Sequence, residues 1–99
     1  MSNQDLARSL RQLCAGKYDL RLTAHGRKRC AERDIAPVDI QYLLPRCRVT
    51  EATVDQFGND VLTVQGRDAD DRMIRAVVVV EWDCATITLV TVFEDERGA

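Results

Sequence analysis

Apolar residues recur at helical spacing through residues 3–44 and at alternate positions through residues 46–93. Leu6, Leu10 and Leu13 fall on one helix face. Ser2 or Asn3 can cap the start of that helix, and Gly16 ends it. Tyr18-Asp19-Leu20-Arg21-Leu22 alternates and reads either as a short strand or as an extended connection. Thr23 is a natural N-cap for a second helix from Ala24 to about Arg33. A third helix follows Ala36, with Pro37 at its first position, Ile40, Leu43 and Leu44 facing inward, and Pro45 closing it.

Beyond Pro45 the period changes to two and the residues become β-branched. Cys47 to Val54 reads as a strand, Phe57 to Asp60 as a turn, and Val61 to Gln65 as a second strand ended by Gly66 and the polar turn Asp68–Asp71. Met73 to Trp82 is a third strand, and its Val77–Val80 run suits a central position. Asp83-Cys84 turns the chain into a fourth, Thr86 to Phe93, before a charged tail over 94–99. Helices first and a strand meander second predict one α+β domain over residues 1–99. Its helices should pack on one face of a four-stranded, mainly antiparallel sheet whose other face stays partly open, because short connections favour antiparallel neighbours.

Composition changes this picture little. Hydrophobic residues at 45% and charged residues at 30% are ordinary for a soluble globular chain. No apolar run approaches the ~18 residues of a membrane span, and no signal-peptide layout precedes the first helix, so no membrane is expected and the location reads as cytoplasmic. Charge is more informative. The net −2 divides into +5 over residues 1–50 and −7 over residues 51–99. Arg21, Arg27, Lys28, Arg29, Arg33, Arg46 and Arg48 form the basic concentration, which can bind a polyanion or neutralise the acidic half across the fold.

Cys14, Cys30, Cys47 and Cys84 are widely spaced, and His25 is the single histidine, so no zinc-site spacing is present. The cysteines read as reduced thiols, several of them core-filling. Cys30 on the basic segment is the one whose neighbours could lower a thiol pKa. Asp68–Asp71 lacks the pattern of a calcium loop, and Trp82 reads as a core or rim residue. No cofactor or metal is expected.

Candidate chemistry lies in residues 25–35. His25, Arg29 and Arg33 stand at i, i+4 and i+8, so each step drifts by only ~40° around a helix and the three share one stripe. Glu32 falls on the same side. Arginine forks bind phosphate oxygens in pairs, and an imidazole takes or gives a proton near neutral pH. RNA transesterification without a metal needs a base, an acid and cations around phosphorus. His25, Arg29, Arg33 and Glu32 can fill these roles, with Arg27, Lys28, Arg46 and Arg48 as further phosphate-binding candidates. The same stripe also reads as a solvated helix face whose charges are paired locally.

The H-x-x-x-R-x-x-x-R-x-I segment from His25 to Ile35, with Asp39-Ile40, Leu43-Leu44 and the later strand end Val90-Thr91-Val92-Phe93, resembles a small bacterial family, the domain-of-unknown-function family four-two-five-eight. The resemblance covers roughly residues 20–95, and the His-Arg-Arg segment is its distinctive part. It implies a compact α+β fold with a curved antiparallel sheet. It also implies proteins similar to the RNA-cleaving toxins of toxin–antitoxin pairs, some encoded beside a zinc-finger antitoxin, with possible metal-independent ribonuclease activity. RNA and an antitoxin-like protein are then the candidate partners, with the oligomeric state left open. His25, Arg29 and Arg33 occupy the signature positions. Asp34 stands where the family commonly has glycine at a left-handed helix end, and Phe93 where it commonly has tyrosine, so a hydroxyl is missing there. The acidic pI near 5.3 is unlike that of a strong RNA binder. The contrasting expectation is a non-catalytic interaction module that uses the basic helix or the open sheet.

Overall fold

The computed structural model describes residues 1–94. The elements in order are α1 (Asn3–Ala15), β1 (Asp19–Leu22), α2 (Ala24–Glu32), α3 (Pro37–Leu43), β2 (Arg48–Val54), β3 (Asp60–Arg67), β4 (Met73–Glu81) and β5 (Thr86–Glu94). The class is α+β, and the strands form one mixed sheet in the order β1-β5-β4-β3-β2.

Ser2 caps α1 in a reciprocal arrangement. Its Oγ accepts from the Asp5 N–H at 3.1 Å, while its own N–H donates to Asp5 Oδ2. Leu6, Ala7 and Leu10 carry the buried face, as the spacing predicts. The β2–β5 meander is antiparallel throughout. Its first turn is held by Asp55, whose Oδ1 accepts from Phe57 and Asn59, and Gly58 takes the left-handed conformation at φ 83.

The sheet has five strands rather than four. The segment that alternates after Gly16 becomes β1 and joins β5 in parallel, Asp19 opposite Thr86 through Leu22 opposite Leu89. It misses the four-strand count because a four-residue run owes its strand character to the neighbour it meets. The parallel pairing is allowed because most of the chain lies between the two strands. The sheet is not strongly curled, which corrects the curved sheet that the resemblance implies.

All three helices lie on one face. Leu62 and Val64 of β3, Ile74, Ala76, Val78 and Val80 of β4, and Ile87, Leu89 and Val92 of β5 point into a core shared with Leu6, Leu10, Cys30, Ile40, Leu43 and Leu44. The alternate residues Val61, Thr63, Val77, Val79 and Thr91 stay half-exposed on the other face. A bulge at Val90 shifts the β5 register, so that Leu89 and Val92 both face the core. Of the charged tail, Glu94 is exposed, and residues 95–99 lie outside the described residues.

Candidate functional site

β1 covers β5 only as far as Leu89, and α2 begins where that cover stops. Thr23 makes the joint. Its N–H donates to the Leu89 carbonyl at 3.1 Å, its hydroxyl lies 3.3 Å from the Val90 carbonyl, and the same oxygen accepts from the Gly26 N–H at 2.9 Å. Gly26 allows the helix to approach. A Cβ there would stand 2.5 Å from the Leu89 carbonyl oxygen. The first turn of α2, which carries His25, is thus seated on β5 through backbone contacts.

The far end is fixed differently. Arg33 is the C-cap, Asp34 takes φ 54, and the Ile35 N–H reaches back to the Cys30 carbonyl at 2.9 Å. Arg72, from the β3–β4 connection, donates to the Arg33 and Asp34 carbonyls at 3.4 and 3.1 Å. Its Nε meets Asp68 Oδ2 at 2.9 Å, with Asp39 and Glu94 at 3.9 and 3.7 Å from its other nitrogens. Burial opposes the Arg72 charge. The hydrogen bond and charge of Asp68, with Glu94 and Asp39, outweigh burial and hold the guanidinium above its ordinary range. Oxygens of Asp39, Asp68 and Asp70 lie within 4.8 Å of one another. The Arg72 guanidinium stands beside two of these carboxylates, and Asp68 also accepts from the Asp70 and Arg72 N–H groups.

Between these anchors the exposed face of α2 brings three of the singled-out residues together. Arg29 Nε donates to His25 Nε2 at 3.5 Å, and Arg29 Nη1 lies 3.7 Å from Glu32 Oε1. Arg29 and Glu32 are well hydrated, with side chains 39% and 46% exposed, so their attraction adds little stability and leaves both groups open to a ligand. Arg33 is exposed one turn on, with no ion pair among the described residues, and Arg27 and Lys28 are exposed on the same helix.

Arg46 and Arg48 do not join this group. The Arg46 guanidinium lies 3.9 Å over the Tyr42 ring and donates to the Tyr42 carbonyl, just beyond α3. Arg48 sits on β2, at the opposite edge of the sheet from β1, and grips Gln65 Oε1 through Nε and Nη2 at 3.2 and 2.8 Å. Cross-strand register places Arg48, Gln65, Arg75 and Phe93 in one row across the open face, with the Arg75 guanidinium 5.4 Å over the Phe93 ring. The roles of Gln65 and Arg75 here are not visible from spacing along the chain, since strand register brings the row together.

Burial favours the protonated form of three thiols, Cys14, Cys30 and Cys47. Burial raises Cys30, helped by the nearby Asp39 carboxylate, so its basic neighbours in sequence do not activate it. Burial also pushes Cys14 to about 11 and Cys47 to about 12. Trp82 is half-buried against the core and donates to Asp60 Oδ2 at 2.7 Å. Among the described residues, no helix is long and apolar enough to cross a membrane.

Comparison with known proteins adds one match. The family described as Domain of unknown function (DUF4258) matches residues 22–94, which take in β1's last residue, the His-Arg-Arg helix and the whole meander. No curated protein and no solved structure matches the chain.

Proposed function

This chain belongs to the DUF4258 family, and from the charged face of α2 we propose that it is a toxin-like, metal-independent endoribonuclease of a toxin–antitoxin type system. The observation that carries the reading is the Arg29 guanidinium lying between the His25 imidazole and the Glu32 carboxylate on an exposed surface. A cation that binds phosphate stands there beside two groups able to move protons.

In the proposed reaction the RNA 2′-oxygen attacks phosphorus, the 2′-proton passes to Glu32 or His25, and the 5′-oxygen leaves with a proton from the other. A 2′,3′-cyclic phosphate and a 5′-hydroxyl remain. Arg29 and Arg33 would hold the phosphate oxygens and offset the charge that grows on them, with Arg27 and Lys28 guiding the neighbouring backbone. An antitoxin-like protein would cover this face, and both partners fit a cytoplasmic setting.

The test is cleavage of a long structured RNA by purified protein in excess chelator, with His25→Ala and Arg29→Ala assayed in parallel. Cleavage by the wild type that is lost in both folded variants is the expected result. Equal cleavage by all three proteins, or none, overturns the proposal. A second reading, a non-catalytic nucleic-acid or protein interaction module, is favoured by the Arg48–Gln65–Arg75–Phe93 row. That row offers cations and an aromatic face on the open sheet without a proton-transfer group. RNA binding that survives His25→Ala but falls in Phe93→Ala would select it.

A further inference from the structure

A groove of about 510 Å³ runs between α1 and β2, on the side of the sheet far from the α2 cluster. Its lining combines residues from both sides of β2. Val49 turns to the core, whereas Arg48 turns to the open face, where it holds Gln65. A groove that touches both sides of a terminal strand lies along the edge of that strand. β2 ends the sheet order, so β3 pairs one of its edges and no strand among the described residues pairs the other. The edge is not sealed by apolar packing either. Asn3, at the start of α1, donates its side-chain amide to the Thr50 carbonyl at 3.2 Å, standing where a neighbouring strand would donate, and an added strand would take over that acceptor.

The charge of the groove is one-sided. Arg8 and Arg11 project from one face of α1 and Arg48 from β2, while Ala7 and Val49 form part of its floor, and its lining holds no carboxylate. Arg8 has only a loose surface contact with Asp5, at 3.7 Å with both side chains at least half exposed. Arg11 is exposed and has no ion pair among the described residues. Further along β2, Glu51, on the open face with Thr53, is exposed, as are Ala52 and Thr53, and Val54 is 64% exposed.

We infer that this edge is a docking site for an extended acidic peptide of a partner protein, added beside β2 as a sixth strand. Main-chain hydrogen bonds to β2 would supply affinity. Alternation puts one set of the peptide's side chains on the α1 side, where carboxylates would face Arg8 and Arg11 and set the choice of partner, and turns its apolar set to the open face. A phosphodiester backbone could use the same arginines, but it has no use for an open strand edge or an apolar floor. The inference does not depend on ribonuclease activity, because none of its residues belongs to the α2 cluster.

The experiment uses the full chain and an eight-residue peptide of alternating valine and glutamate, blocked at both ends. Fluorescence anisotropy gives the affinity, and backbone amide NMR shifts give the location. Amides of residues 48–54 and of the first turns of α1 should shift on titration. Methylating alternate peptide nitrogens, replacing glutamate by lysine, or the substitution Arg11→Glu should each weaken binding by about tenfold or more. Arg8→Glu serves as a second variant should Arg11→Glu not fold. Peptide that leaves the β2 amides unmoved, or that binds equally well when N-methylated, overturns the inference. So does oligouridylate shifting the same amides where the peptide does not, which would assign the groove to RNA.

Discussion

Arg72 Nε stands 2.9 Å from Asp68 Oδ2, and the Asp68 side chain is 1% exposed. This pair joins the β3–β4 connection to the end of α2, because the same guanidinium binds the Arg33 and Asp34 carbonyls. It therefore fixes where the helix bearing the charged face points. The arrangement is structural in chemistry and positional in consequence.

Removing Arg72 leaves the buried Asp68 carboxylate without its cation, and neutralising Asp68 leaves Arg72 only its longer carboxylate contacts, with Asp39 and Glu94. Arg72→Ala should lower unfolding free energy by about 3 kcal/mol, and Asp68→Asn by a similar amount, read from urea denaturation. Arg72→Lys should lose less than Arg72→Ala but still be destabilised, since a point charge cannot reach Asp68 and two carbonyls at once. Wild-type stability in Arg72→Ala would remove the pair from this role.

Gly26 makes a test by sign. In an exposed helix interior, glycine to alanine is stabilising. Here the added methyl would meet the Leu89 carbonyl oxygen at 2.5 Å, and that oxygen is backbone in a central part of β5. Gly26→Ala should therefore destabilise by about 1–3 kcal/mol and shift α2 away from the sheet. A rise in Tm would show that α2 is not seated as described.

Asp34 gives the opposite sign. Its φ of 54 lies in the left-handed region, where a Cβ is strained. It interacts through its carbonyl, which Arg72 binds and which glycine keeps. Asp34→Gly should raise stability by roughly 0.5–1 kcal/mol in the same denaturation assay. A loss of stability would mean that the side chain matters more than the turn.

Alkaline pH should weaken the fold through its buried thiols. Cys14 and Cys47 titrate from an ordinary value of 9.0 up to about 11 and about 12, chiefly because burial disfavours the thiolate. The folded state thus binds protons that the unfolded state releases. The stabilisation is complete below about pH 9 and is lost progressively as pH rises toward the folded values. Tm measured in reducing buffer should fall as pH rises above 9, with a shallower slope in Cys47→Ala. Cys84, the exposed thiol, should react with a thiol reagent in the native state before Cys30 or Cys47.

Much of the architecture is legible along the chain because it is written in local periods. Leu6 and Leu10 at helical spacing, Ser2 before them, Thr23 ahead of α2 and Pro37 at the start of α3 are signals that neighbouring residues carry between themselves. The alternation of Ile74, Ala76, Val78 and Val80 sets strand and core face together. The i, i+4 relation of His25 and Arg29 likewise foretells their 3.5 Å contact, since a helix brings such side chains together without help from elsewhere.

Distance along the chain hides the rest. β1 is a strand because Leu20 and Leu22 find Ile87 and Leu89, so its identity and parallel direction belong to β5 as much as to its own residues. Arg46 and Arg48 are near-neighbours of the basic helix in sequence, yet stacking on Tyr42 and pairing with Gln65 direct them elsewhere. Arg8 and Arg11 look like an ordinary polar helix face until β2 is laid beside them. Sequence alone determined the three helices, the four meander strands and the grouping on α2, because these depend on backbone geometry over a few residues. The tertiary structure decided the fifth strand, the Arg72 clasp and the basic edge groove, because each arises where segments distant in sequence exclude water from one another and align their backbones.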